Sequence, residues 1–450
     1  PELDKEKSTV AFTLFIDPGR RVYVNRVNVA GNTRTRDEVV RREIRQMEGA
    51  YYDAAKINLS RDRLNRLGYF NEVNIETPGV SGTTDQVDVN VSVTEKSTGN
   101  IMLGAGYSTS EGLVLSGSVS QANVFGTGNR VSAQLNSGSV NTVYSLSFTN
   151  PYFTIDGISL GYDLYRRDVD AGELDNVSAY ETSTKGVGAR LGLPINERDT
   201  IAFGLTYEDT SLTIFSDDDP LNQSIQERFV EEFGEDNDTL RLDVSWARDS
   251  RNSFLFPTSG VFQRVAAEIG TPAGSLQYYK LSLQHQQFFA LGRDFTLMLN
   301  AEAGIGDGLN DKPLPFFKNF YAGGTTSVRG FQAGTLGPKD LYGDALGGDT
   351  RLVGNAEVIF PLPGLKDDQS LRMSAFIDAG AVWGPSDGNP LNPYNGMFEN
   401  FAFDDLRYSA GVAVLWVSPM GPLKFSLAQP LVEKDGDETE IFQFTMGNVF

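Results

Sequence analysis

The 450-residue chain has no cysteine and a single histidine, His285. These absences exclude a disulfide framework, a thiolate metal site and a histidine-rich metal centre. Positive charge is also scarce: 38 Lys and Arg stand against 59 Asp and Glu, a formal charge of -21. Nucleic-acid affinity depends on cations that neutralise phosphates, so this balance argues against a nucleic-acid partner. No stretch approaches the roughly 18 consecutive apolar residues of a membrane-spanning helix. The opening Pro1-Glu2-Leu3-Asp4-Lys5 lacks the charged and apolar regions of a signal peptide. Catalysis is not expected either. His285 sits in the polar run Gln284–Gln287 with no identifiable Ser or Asp to complete a nucleophile–base pair. No cofactor and no metal are expected.

What the chain does contain is glycine (47 residues) and aromatic side chains (11%) on a polar average. That suits a soluble β protein. It suits a transmembrane β-barrel equally well, because barrel strands alternate lipid-facing and lumen-facing residues and never look hydrophobic on average.

Two grammars divide the sequence. Thr9 to Pro18 alternates as one strand with no hairpin partner before it, and residues 1–20 are read as the end of a truncated upstream domain. Residues 21–96 read as a compact α+β unit. A strand from Val22 ends at Gly31-Asn32. Thr35 or Asp37 is placed to cap a first helix with Val39, Val40, Ile44 and Met47 as its apolar positions. A second helix over 53–67 carries Ile57, Leu64 and Leu67 on one side, and Gly68 follows as a left-handed stop. Strands near 69–77 and 86–94 complete the unit. Arg61, Arg63 and Arg66 on the second helix read mainly as a solvated face, with acidic lipid or a partner as the alternative.

From residue 97 onward helical periodicity disappears and strand-like alternation recurs to the end of the chain. The pattern gives about 16 strands, an even number, as bacterial single-chain barrels have. Every second connection is short, as at Phe125–Asn129, Pro194–Asp199, Ala290–Asp294 and Ser418–Pro422. The other set holds every long loop, near 211–235, 307–349 and 385–404. Short periplasmic turns opposite long outer loops are the outer-membrane pattern. The expected fold is therefore a transmembrane antiparallel barrel over 97–450, with a long loop near 307–349. An all-β soluble protein is the alternative.

Three motifs stand out on this background. Val328-Arg329-Gly330-Phe331 lies in the long glycine-rich loop, and a loop of that length calls for a function. Phe376, Asp378 and Gly380 share one face of a later strand, and Glu357 is similarly placed on the strand before it. The last strand puts Phe442, Phe444, Met446 and Phe450 on one face, read as lipid-facing, with Gly447 among those opposite. The first strand, with Ile101, Leu103, Gly104 and Gly106, must close against it. Glycine weakens strand pairing, so this seam is a candidate lateral opening. Glycines that merely ease curvature explain the same residues. A cysteine pair at Leu103 and Phe444, or at neighbours in register, is the natural means of locking the seam.

In this order, and after a β-α-α-β-β unit with Leu67-Gly68-Tyr69-Phe70 behind its second helix, these motifs resemble the POTRA-plus-barrel superfamily of outer-membrane insertases and transporters. The resemblance covers nearly the whole chain. It implies that 21–96 is a periplasmic POTRA domain, that residues 1–20 end a preceding one, that the loop near 307–349 plugs the barrel, and that Arg329 meets Asp378, with Glu357 as the second partner, on the lumen wall. It also implies a terminal aromatic signal at Phe450 and a bacterial outer-membrane location. The implied function is folding and insertion of β-barrel precursors by strand addition, a weak first–last seam and bilayer disturbance. The implied partners are unfolded precursors, accessory lipoproteins of an assembly complex, outer-membrane lipids and lipopolysaccharide. The alternatives are a secretion pore of the same superfamily and, after it, a passive porin.

Overall fold

The computed structural model describes residues 2–4, 9–11, 21–109, 111–174, 176–215, 224–253, 256–340, 343–362, 370–384, 401–418 and 421–446. Among them, no helix is long and apolar enough to cross a membrane. The chain forms two compact units, residues 1–98 with 122–129, and residues 99–121 with 130–450.

In the first unit, β1 (Tyr23–Ala30) runs parallel to β3 (Gln86–Glu95), and β2 (Phe70–Glu76) pairs antiparallel with β3. Two helices, α1 (Asp37–Arg41) and α2 (Ala54–Leu67), pack on this sheet. The core comes from alternate strand positions, Val89, Val91 and Val93, against the apolar helix positions Val39, Val40, Ile57 and Leu64. Helix α2 starts where the Asp53 carboxylate accepts the Ala55 and Lys56 N–H groups, and it ends at left-handed Gly68.

Helix α1 departs from the sequence reading. Arg36, not Thr35 or Asp37, is its N-cap residue, and no side chain caps it. Thr35 instead donates its backbone N–H to Glu95 at 2.6 Å and accepts from Asn123 at 2.8 Å. The helix ends early, and Met47 is 65% exposed. Buried Gln46 explains the break. Its amide donates to the carbonyls of Met47 and Tyr51 and accepts from Asp53 N–H, satisfying the backbone of a turn where a helix would have continued. Arg63 is held by Glu43 at 2.9 Å rather than solvated. A second correction lies at the start of the chain: Thr9–Ala11 does have a partner before it, the antiparallel strand Glu2–Asp4. The partner is too short and polar to show alternation.

The second unit is a closed antiparallel barrel of 16 strands. They are β4 (Gly99–Ser108), β5 (Gly112–Val124), β6 (Asn129–Ser137), β7 (Asn141–Asn150), β8 (Ser159–Asp170), β9 (Tyr180–Pro194), β10 (Asp199–Ile214) and β11 (Asp236–Asp249). The wall continues with β12 (Gly260–Gly270), β13 (Tyr278–Ala290), β14 (Thr296–Gly308), β15 (Thr350–Pro361), β16 (Leu371–Trp383), β17 (Arg407–Ser418), β18 (Gly421–Val432) and β19 (Phe442–Met446). Consecutive strands are neighbours throughout, and β19 returns to β4.

Burial in the barrel is inverted relative to a water-soluble protein. Leu103, Leu115, Leu146, Leu164, Leu283 and Ile377 are exposed, while Glu208, Arg329, Asp378 and Gln443 are buried. An exposed apolar band of this extent fits hydrocarbon rather than water as the outer solvent. A soluble all-β domain would bury the first set. Between β10 and β11, the helix α3 (Ile225–Phe233) begins with a capping box, Ser224 with Glu227. It packs Ile225 and Phe229 into a cluster with Tyr180, Leu212, Tyr278 and Phe316, so one end of the barrel is covered by packed loops.

Glu95 provides a pH test of the first unit. Burial raises its pKa, but donation from Thr35, Thr33 and Arg34 outweighs this and holds the carboxyl below its ordinary range. A depressed pKa contributes stability that is present above the unfolded value, about 4.3, and is lost as pH falls through the folded one. Amide exchange at Arg34 and Thr35, corrected for intrinsic rate, should therefore quicken on acidification below that range. Glu95→Gln should show the faster exchange already at neutral pH, and should flatten its pH dependence.

Candidate functional site: the loop tip inside the barrel

The connection between β14 and β15 supplies the site. Residues Ala322 to Leu336 fold into a compact tip, tied by Leu336 N–H to Ala322 O at 3.1 Å and Gly324 N–H to Phe331 O at 2.9 Å. Val328 and Phe331 are fully buried, in one cluster with Ala322, Leu336, Val353 of β15 and Val382 of β16. The tip thus has an apolar seat of its own on the wall.

Arg329 reaches the wall beside that seat and is 3% exposed. Its Nε and Nη2 donate to the two Asp378 carboxylate oxygens at 2.7 and 2.8 Å, a bidentate fork, and its backbone N–H adds a third bond at 3.1 Å. Nη1 lies 3.1 Å from Glu357 Oε2. The guanidinium carbon stands 3.3 Å above the centre of the Phe376 ring. Asn355 donates to Asp378 at 2.8 Å and to Ser327 O at 2.7 Å, so the same amide holds both the acid and the tip. Lys424 of β18 lies within electrostatic reach of all three charged groups. Two cations therefore face two carboxylates in a region screened from water.

Strand alternation places these groups. On β16, Ser374, Phe376, Asp378 and Gly380 are buried, while Ala375 and Ile377 are exposed. Gly330 has φ +91, a conformation that suits only glycine. At Gly380 the reason is space: a Cβ there would come within 2.6 Å of the Val328 side chain and 3.1 Å of Leu352 O. A side chain at Gly380 would push the tip off the wall.

The seam places the remaining candidates. Among the described residues, β19 and β4 pair only at Thr445 opposite Ser108 and Met446 opposite Tyr107, with Thr109 N–H donating to Phe444 O at 3.2 Å. Leu103 therefore does not lie across from Phe444, and the register that joins the strands is Met446 with Tyr107. Side-chain alternation alone carries no information about stagger between the first and last strands. Ile101 and Leu103 are exposed on the outer face, as is Phe442. Gly104 and Gly106 lie in β4 before the paired positions. Phe444 stacks on Phe425 at 4.7 Å. Gly447 and Phe450 lie outside the described residues.

Sequence reasoning missed a second attachment of the same loop. Lys318 pairs with Glu268 of β12 at 3.1 Å and with Glu208 of β10 at 3.5 Å. Glu208 also binds Arg241 and the Tyr165 hydroxyl, and Tyr278 donates to Glu268 at 2.6 Å. Lys280 donates to the Lys318 carbonyl and lies 4.1 Å from the Phe320 ring. The loop therefore crosses from the β10–β13 wall to the β15–β16 wall. A residual lumen cavity of about 690 Å³ remains, lined by charges of both signs. The available signal was a run of inward-facing charges on consecutive strands, which has no partner in the sequence until the loop is placed.

Removing one member of a buried, hydrogen-bonded ion pair costs about 3–5 kcal/mol, because the other charge stays buried without its partner. Arg329→Ala and Asp378→Asn should each lower the temperature at which the folded barrel unfolds, measured by heat-dependent migration on a detergent gel. Gly380→Ala should lower it too, by displacing Val328 rather than by removing charge. Together Arg329→Ala and Asp378→Asn should cost clearly less than the sum of the two single changes.

Family models match both units: an Omp85 superfamily domain over residues 123–450, and the POTRA, or surface antigen variable number repeat, over 22–96. The outer membrane protein assembly factor BamA of Neisseria meningitidis serogroup B is 42% identical over the whole chain. The chain spans 59% of that relative's length. The crystal structure of BamA from Haemophilus ducreyi lacking POTRA domains 1–3 superposes with a TM-score of 0.81 at 30% identity, covering 99% of this chain and 88% of that one. CdiB from Acinetobacter baumannii shares the fold, with a TM-score of 0.62 at 13% identity over 95% of this chain and 74% of its own. The barrel belongs in the bacterial outer membrane, with the POTRA domain in the periplasm. The chain, a POTRA domain followed by a 16-stranded barrel with its loop tip seated on Asp378, belongs to the Omp85 superfamily.

Proposed function

We propose that this chain is the membrane-embedded part of a factor that folds β-barrel precursors and inserts them into the outer membrane. The observation that carries the reading is the seam. The barrel closes where β19 meets β4, with Thr445 opposite Ser108, and β4 carries Gly104 and Gly106, which weaken strand pairing. A strand edge released there presents unpaired N–H and C=O groups, which template a new strand without nucleotide energy. The precursor's first hairpin would add to that edge, and the weak seam would close again behind it. Exposed Leu103 and Ile101 beside the seam meet the lipid. The loop tip, bound to Asp378 and Glu357, would hold the wall while the seam works.

The partners in this reading are unfolded outer-membrane precursors, delivered through the POTRA domain, and accessory lipoproteins of an assembly complex. Outer-membrane lipid and lipopolysaccharide form the surroundings. The reading is supported by the naming of the Neisseria relative as an assembly factor. A passive porin fits less well, since a loop tied to two walls crosses the lumen.

A disulfide at the seam tests the proposal, and these 450 residues hold no cysteine of their own. Tyr107→Cys with Met446→Cys uses the paired register. The full-length protein with its partners is placed in liposomes, and folding of an unfolded barrel client is followed with the disulfide formed and reduced. Fast folding when reduced and none when oxidised is expected. Equal rates in both states would remove the seam from the mechanism, and no acceleration in either would favour a secretion pore.

A further inference from the structure

Gln443 is 1% exposed and faces inward from β19, directly beside the loop tip. Among the described residues, its amide's partners come from two places. Nε2 donates to Phe331 O at 2.8 Å and to Glu440 Oε2 at 3.2 Å, and Oε1 accepts Gly330 N–H at 3.4 Å. Only this amide orientation satisfies the site, because the reverse sets two acceptors against each other at Phe331. Around it, Gly330 and Phe331 pair antiparallel with Glu440 and Thr439, and Gln332 N–H donates to Glu438 O at 2.9 Å. The loop tip therefore carries a short strand of its own on the segment that enters β19.

The consequence follows from what else holds β19. On one side it is paired with β18 from Leu427 opposite Phe442 to Leu423 opposite Met446. On the other it meets β4 at Thr445 opposite Ser108 and Met446 opposite Tyr107. From the lumen it is gripped at residues 438–443, two residues before those pairs. The grip is made by the very residues flanking Arg329, which is fixed to Asp378 on β16. A displacement of the tip would carry the terminal strand's entry segment with it.

We propose that Gln443 is a positioning residue that latches the terminal strand to the Arg329 loop tip, so that seating of the tip controls closure of the seam. The latch recognises backbone, not side chains, of Gly330 and Phe331. The proposal rests on the reading that the seam is the working part of the molecule, and its test separates the two.

Spin labels at Leu103→Cys and Phe442→Cys, both on the exposed outer face, report the distance across the seam in the full-length protein in liposomes. Gln443→Leu keeps the volume and removes every amide bond. Gln443→Glu keeps the acceptor for Gly330, loses the donor to Phe331 and places a second carboxylate beside Glu440. Loss of the amide's bonds should raise the ratio of long to short distances about tenfold in Gln443→Leu. It should raise the ratio by a comparable amount in Gln443→Glu. Heat-dependent migration identifies folded protein in each sample, and the Glu variant decides if the Leu variant does not fold. Wild-type distance distributions in the folded variants would overturn the latch. Client folding is measured in parallel. Widened distances with an unchanged folding rate would keep the latch and overturn the seam mechanism, and unchanged distances would overturn the latch whatever the rate.

Discussion

A single buried ion pair organises the barrel's interior. Arg329 comes from a loop and Asp378 from the wall, and neither would be stable alone in a space screened from water. Their pairing fixes where the tip of a forty-residue connection must sit. Everything nearby is arranged to keep that pair satisfied. Phe376 covers the guanidinium, Asn355 shares the carboxylate, Glu357 stands as a second carboxylate beside Nη1, and Val328 and Phe331 exclude water on the flank. A loop of this length pays a large entropic cost for order. The pair, the apolar seat and the second anchor at Lys318 offset it together.

The geometry also links parts of the barrel that are remote in sequence. The loop touches β10, β12 and β13 through Lys318 and its neighbours, β15 and β16 through Arg329, and the terminal segment through Gly330 and Phe331. A barrel wall alone transmits little from one side to the other, since each strand feels only its two neighbours. A strut across the lumen shortens that path. It gives the seam, where the first and last strands meet, a mechanical connection to the interior that the hydrogen-bond ladder does not supply.

Much of this was legible in the sequence because strand alternation is a strict rule. Phe376, Asp378 and Gly380 had to share a face, and the inverted environment of a barrel decided which face. The alternation of short and long connections likewise followed from a chain that crosses a membrane repeatedly. The parts that were not legible depend on distances between strands. Lys318, Glu208 and Glu268 are separated by dozens of residues, and nothing local marks them as partners. The stagger of β4 against β19 is set by barrel closure, so Met446 stands opposite Tyr107 and Phe444 does not stand opposite Leu103. Met47 was misread for a different reason. Its helical spacing was sound, but buried Gln46 offered the backbone a better set of hydrogen bonds in a turn.

Hydrogen–deuterium exchange of the full-length protein in lipid, with and without Arg329→Ala, tests the central claim most directly. If the ion pair organises the interior, exchange should rise in the tip at 324–336, in β15 and β16, and in the terminal segment 438–446. The POTRA domain and β6 to β8 should stay unchanged. An increase confined to the loop itself, with wall and terminal segment protected as before, would contradict the account.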